Sequence, residues 1–429
     1  MRMLLDFKIR NFLSIKDEVF ISFEANKRIA SLNENKIIKK LKNEENLWIL
    51  KSLVFYGGNA SGKTNIIKGL LALKELSLNS FSYKIGGNTG IKTFLLDSDS
   101  KSKNTYFEIN FLIKNIKYNY SIELNEKQII NEILSYYPQK EKLNIFTRQG
   151  SKEMEIEEKY IGINDVDLLG SMFPRENQSL LSILFDRISA KSILIKDISD
   201  FFLSINFCLN SIDLTGITLS KIKEEKYKKI ILDFLQSADI NIKDIVQEQK
   251  KLSKEEMEQI PPNLFINGIK PVSITEVKTY FSHPVYRNGE LDGEEKFDFI
   301  NQESEGTKRL FSLIGPIIDT IEKNGILFID EIDTHLHFLL LENLIKFIHK
   351  ANISKGAQFL FNTHNIDLLD LELFRKDQIW FTEKDKFGAT STYALDEFKD
   401  IQIRNNSDIK KAYKLGIFGG IPTLSDFYI

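Results

Sequence analysis

Residues 53–70 read LVFYGGNASGKTNIIKGL, and no other stretch limits the fold so tightly. An apolar, β-branched run stops at paired glycines, and a helical pattern begins directly after Lys63-Thr64. The spacing Gly57-x-x-x-x-Gly62-Lys63-Thr64 is that of a phosphate-binding loop, and its flanks predict strand, loop and helix in the required order. Glycines let successive backbone N–H groups turn inward, while the helix that follows begins with unpaired donors and a positive dipole end. Lys63 supplies a point charge for β- and γ-phosphates, and the Thr64 hydroxyl is a ligand for Mg²⁺. Gly57, Gly58, Asn59, Ala60, Ser61, Gly62, Lys63, Thr64 and Asn65 are the expected contacts of a nucleoside triphosphate. A glycine-rich turn ahead of an ordinary core helix is the plainer reading; pattern and flanks together argue against it.

The second half of the chain narrows the class. Residues 325–333, GILFIDEID, form a continuous apolar run ending in Asp330-Glu331. A buried parallel strand with a carboxylate at its tip is where a Walker B aspartate holds the Mg²⁺ shell, so Asp330 joins Thr64 as an expected metal ligand. Glu331 sits where a general base polarises the attacking water. No guanine-reading NKxD sequence is present, which favours adenine. Upstream, Ser304 reads as the N-cap of an amphipathic helix closed by Asn324-Gly325, so a serine and Gly306 lie at a second helix N-terminus. Downstream, QFLFNTHN is another buried-type strand ending at His364, a position suited to sensing a γ-phosphate. His335 and His337 alternate in DTHLH, but no third ligand accompanies them, and Asp333 to His337 read as the loop after the strand.

The chain has 429 residues with 42% hydrophobic content, enough for one large or two ordinary domains. Its net charge of −2 gives no overall basic field for nucleic acid, although a local patch is compatible with it. Cys208 is the single cysteine, which excludes an intrachain disulfide and a cysteine-based zinc site. No apolar run approaches the roughly 20 residues that span a bilayer, and the N-terminus alternates like a strand instead of carrying a signal core. A cytoplasmic protein without membrane partners is expected.

Between the two motif clusters the pattern changes. Thr105 to Leu124 alternates in two runs about Lys114-Asn115, a hairpin signal, and NEILSYYP and LNIFTRQ continue that sheet. From about Gly170 the spacing turns helical with charged outer faces, until a polar stretch ends at Pro261-Pro262. Strands return near Phe265, with Asn288-Gly289 as a turn. The expected organisation is an N-terminal head part over 1–164, a helical insert over 165–262 and a C-terminal head part over 263–429. Lysines of the insert (Lys221, Lys223, Lys226, Lys228, Lys229) alternate with glutamates, which favours a solvated face over a DNA-binding stripe.

FKIRNFLSIKD, GGNASGKTNIIKGL, SEGTKRL, ILFIDEIDTHLH and FNTHN occur in an order that resembles the ABC-type AAA ATPases of bacterial defence, such as the RloA and AbiL ATPases and the ATPase of PARIS-like anti-phage systems. OLD, RecF and SMC ATPases are more distant kin. The likeness covers roughly residues 1–150 and 265–429, and IRNNSDIKKAYKLGIFGGIPTL is similar to the family's ending. SEGTKR keeps only the Ser-x-Gly core of a transporter-type signature. The resemblance implies an α/β P-loop NTPase head of ABC/RecF type, a mixed sheet with a flanking β lobe, carrying the helical insert. It implies a homodimer or higher homo-oligomer with composite ATP sites: Lys63, Thr64, Asp330 and Glu331 from one subunit, Ser304 and Gly306 from the other. Lys63, Glu331 and His364 would serve catalysis, with ATP and Mg²⁺ as cofactors. Lys308 and Arg309 are candidates for extra positive charge or for a solvated face, and Arg10 for an approach to phosphate. The implied role is a sensor that controls a separate toxic effector, a TOPRIM-like or RloB-like nuclease. Asp330 to Asp333 are committed to nucleotide chemistry and the sequence ends at residue 429, so the nuclease is expected on another chain. A RecF/SMC-like DNA-binding ATPase of recombination or repair is the alternative, which leaves DNA open as a partner.

Overall fold

The computed structural model describes residues 1–41, 46–139, 141–161, 173–209, 214–261, 273–398 and 406–421. They fall into two units: 1–212 with 317–333 and 341–429, and 213–316 with 334–340.

At the centre of the first unit is a six-stranded sheet in the order Ile205–Cys208, Ile326–Ile329, Gln358–Thr363, Ser52–Tyr56, Ile379–Lys384, Thr390–Ala394. The first five strands run parallel and the last pairs antiparallel. Every residue of SLVFY, ILFI and QFLFNT is buried, as expected of strands covered on both faces. All three parallel strands therefore end at one edge, where the chain turns into the P-loop, into Asp330-Glu331 and into His364. The helix Lys63–Asn79 leaves the P-loop and buries Ile66, Ile67, Leu70, Leu73 and Leu76. Its Gly69 packs closely against Ile9, whose terminal Cδ1 a Cβ there would have to displace.

A seven-stranded antiparallel sheet forms the flanking lobe, and the N-terminal strand Arg2–Arg10 lies within it between Thr105–Ile113 and Val19–Ser22. The hairpin about Lys114-Asn115 forms at the expected place. Both residues have positive φ, 51° and 65°, which matches a two-residue turn to the twist of its strands.

The helical insert expected over 165–262 is corrected at both ends. Residues 173–209 belong to the first unit, and Ile205–Cys208 is an edge strand of the central sheet paired with Ile326–Ile329. A four-residue apolar strand following a helix cannot be told from more helix by periodicity alone. Buried Glu132 of the lobe also fastens this segment: it accepts hydrogen bonds from Arg148, Tyr120, Ser179 and the N–H groups of Leu180 and Leu181, so its carboxylate caps the helix Leu180–Ile188. At the other end, the polar run Asp244–Lys251 is a strand and makes a three-stranded sheet with Thr275–Arg287 and Glu290–Asp298 in the second unit. The helices Thr215–Lys221 and Glu225–Ser237 belong to that unit. Residues 165–172, 210–213 and 262, and the strand start near Phe265, lie outside the described residues.

One buried carboxylate of the lobe is costly. Asp6 is 6% exposed, and burial pushes its carboxyl from 3.8 up to about 6, although the Asn110 amide donates to it at 2.7 Å. A carboxyl raised on folding costs stability above its unfolded pKa; the cost grows between about pH 4 and 6 and is constant beyond. Asp6→Asn keeps an acceptor for Asn110 and is expected to stabilise the chain at pH 7 by up to about 3 kcal/mol. Thermal melts at pH 7 and pH 4 check this, since the advantage should vanish at the lower value.

Candidate active site

The P-loop turns on two positive-φ residues, Ala60 at 60° and Gly62 at 109°. Gly62 has no alternative, because a Cβ there would collide with Thr390. A Cβ on Gly57 would meet the Thr382 carbonyl and the Ser61 hydroxyl, so the backbone of this cradle is closely enclosed. Lys63 is buried, and its Nζ donates to the carbonyls of Gly57 at 2.7 Å and Gly58 at 3.0 Å. Burial lowers its pKa to about 8, against the opposing pull of Asp333, Asp330 and Glu331.

Thr64 connects the cradle to the strand tips. Its hydroxyl donates to the two carboxylate oxygens of Asp330 at 3.0 and 3.2 Å. Asn362, at the end of the neighbouring strand, donates its amide to Asp330 and accepts the backbone N–H of Glu331. Glu331 adopts φ 48°, a left-handed conformation rare for a non-glycine residue, and this bond to Asn362 holds it there. The backbone N–H of His364 donates to Asp333 at 3.1 Å. The His364 side chain is exposed at the edge of the site, and partial desolvation first, then Lys63, lowers its pKa from the ordinary 6.5. A cavity of about 400 Å³ is lined by Asn59 to Asn65, Glu331, His364 and Lys384. Lys63, Thr64, Asp330, Glu331 and His364 thus converge from three strand ends.

Other expected residues lie elsewhere. Ser304 and Gly306 are in the second unit, where the exposed Ser304 accepts the Thr307 N–H at 3.1 Å and so caps the helix Glu305–Lys323. Lys308 is paired with Glu305 at 2.9 Å. The Arg10 guanidinium stacks over the Tyr106 ring at 5.3 Å and is not among the cavity's lining residues. Sequence reasoning missed Asn362, whose role depends on strand neighbours far apart in the chain, and the network of Ser14, Asn65 and Thr390. There, Ser14 Oγ accepts from Asn65 at 2.7 Å and lies 2.8 Å from Thr390 Oγ1, which in turn donates to the Ser61 carbonyl at 2.9 Å.

Residues 52–370 match the family described as "AAA domain, putative AbiEii toxin, Type IV TA system". The chain belongs to this AAA family. A 124-residue stretch is 29% identical to the retron Ec83 probable ATPase of Escherichia coli, covering 25% of this chain and 22% of that relative. Among solved structures, the SMC head domain from Thermotoga maritima is similar at 14% identity and a TM-score of 0.41, over 91% of this chain and 98% of that one. The Smc head domain with an extended coiled coil derived from Pyrococcus furiosus is similar at 13% identity and a TM-score of 0.38, over 97% and 98%. The P-loop flanked by parallel strands, beside an antiparallel lobe, is the architecture of a P-loop NTPase head. No helix among the described residues is long and apolar enough to cross a membrane.

The donor set fits a magnesium-bound triphosphate. Thr64 Oγ1 and the Asp330 carboxylate are hard oxygen ligands already adjacent. The Ser61 hydroxyl is buried in the cradle with no partner among the described residues, although a buried hydroxyl ordinarily has one.

Proposed function

We propose that this chain binds ATP with Mg²⁺ at the P-loop and hydrolyses it as the ATPase subunit of a cytoplasmic anti-phage, abortive-infection system, controlling a separate toxic effector. One observation carries the reading: from two motifs more than 250 positions apart, Thr64 bonds Asp330, and Lys63, Thr64 and Glu331 line one cavity. The cradle N–H groups and Lys63 hold the phosphates, and Thr64 and Asp330 hold the metal. When bound, Mg²⁺ neutralises charge on the β- and γ-oxygens. Glu331 accepts a proton from the attacking water while Asn362 fixes its backbone. His364, neutral at pH 7 because partial desolvation and Lys63 disfavour its charge, offers a ring N–H to the γ-phosphate. The retron relative supports the defence setting.

Two copies would complete each site, with Ser304 and Gly306 of one presented to the triphosphate on the other. The exposed, capped helix start at Ser304 supports this. Ser304→Arg is expected to leave fluorescent ATP binding by the monomer within about threefold while abolishing ATP-dependent dimerisation and cutting turnover at least tenfold. Light scattering and phosphate release test it. A monomeric variant with parental turnover would remove the composite site.

A further inference from the structure

Lys384 is a lining residue of the P-loop cavity that the motifs do not include. It ends the strand Ile379–Lys384, which pairs in parallel with the P-loop strand through Phe381 and Tyr56, so both strands deliver the chain to the same edge. The next strand returns antiparallel, and Lys384 is the direct cross-strand partner of Thr390. Directly opposed residues point to the same face of a hairpin, with Cβ atoms about 5 Å apart. The direction of that face is fixed by Thr390, whose hydroxyl donates to the Ser61 carbonyl and whose side chain fills the space beside Gly62. The hairpin is fastened further by the Thr390 N–H, which donates to the Ser14 carbonyl at 2.8 Å. Its turn is closed by the Asp385 carboxylate, which accepts the N–H groups of Phe387 and Ala389.

Lys384 therefore projects toward the cradle from a rigid support. It is exposed, and no described residue forms an ion pair with it, whereas Glu383, its neighbour on the opposite face, bonds Tyr393. Two other features make this face an anion site: the buried Ser61 hydroxyl without a partner, and Lys63, which is already engaged by two carbonyls. Glu331 and Asp330 set negative charge near the same space, so a polyphosphate of several charges needs more than one cation. We propose that Lys384 is a second phosphate-binding cation of this site, contacting the phosphate chain of the nucleotide.

This inference rests on the nucleotide-site reading, and the test separates the two. Full-length parent, Lys384→Ala, Lys384→Arg and Lys63→Ala are titrated with fluorescent ATP, ADP and adenosine at low and moderate salt, with thermal melts beside them. Lys384→Ala is expected to weaken ATP and ADP binding about tenfold and to reduce the salt dependence, with adenosine binding and melting temperature unchanged. Lys384→Arg should stay within about threefold of the parent. If Lys63→Ala loses the nucleotide and Lys384→Ala keeps parental affinity, the inference about Lys384 is wrong and the site reading stands. If Lys384→Ala weakens adenosine as much as ATP, the lysine serves the nucleoside and the proposal also falls. If Lys63→Ala binds ATP like the parent, the site reading itself has failed.

Discussion

Lys63→Ala is expected to weaken ATP binding by a few hundred-fold, the largest single-residue effect on affinity in this chain. The lysine is buried, and its Nζ lies between the Gly57 and Gly58 carbonyls at the mouth of the helix dipole. Losing one partner of a buried, hydrogen-bonded charge pair costs about 2–5 kcal/mol. Among the described residues no other cation lies inside the cradle, and Lys384 approaches only from its rim. The variant should not unfold, because removing a charge that burial already disfavours relieves a cost as it deletes two hydrogen bonds. The same burial makes a pH prediction. Phosphate raises the pKa of Lys63 above the value of about 8 it has in the unliganded chain. Affinity is therefore full below pH 8 and falls as pH rises through 8 toward the liganded value, approaching tenfold per unit. Titrations from pH 6.5 to 9.5 test this, and the slope should be absent in Lys63→Ala. A flat profile in the parent would mean that Lys63 stays charged without phosphate.

What could be read in advance divides along range in sequence. SLVFY and ILFI form strands at the expected places because their signals are local: continuous β-branched runs, a glycine turn, a carboxylate at a strand end. The Lys114-Asn115 hairpin is legible for the same reason. Ile205–Cys208 is not, because its strand character comes from an edge position beside residues 326–329. Asn362 is similarly hidden, since a strand-end asparagine has no signature until Asp330 and Glu331 are next to it. The Thr390 and Lys384 hairpin carries no motif, and only parallel pairing with residues 52–56 brings it to the P-loop. Motif spacing locates the chemistry; strand order decides which distant residues support it.

That support makes Glu331→Gln an informative substitution. The backbone of Glu331 is held in its left-handed conformation by Asn362, whose amide also grips Asp330, and none of this depends on the Glu331 carboxylate. Glutamine has the same length and accepts the same backbone, so the metal ligands and the cradle should be undisturbed and ATP affinity should stay within about threefold. What is lost is the basicity needed to take a proton from water, and general-base catalysis contributes about 10²–10⁴-fold. Turnover is accordingly expected to fall by at least about 10²-fold at unchanged affinity, a loss in kcat rather than in binding. Asn362→Ala supplies the contrast: it releases the backbone of Glu331 and a hydrogen bond to Asp330 together, so it should lower both affinity and turnover. If the chain dimerises as proposed and hydrolysis reopens that dimer, Glu331→Gln mixed with ATP should accumulate as a dimer by light scattering while the parent returns to monomer as ATP is consumed. Parental turnover in Glu331→Gln would assign the base elsewhere, and Asp333, whose Oδ1 is buried without a partner among the described residues, would then be the group to replace next.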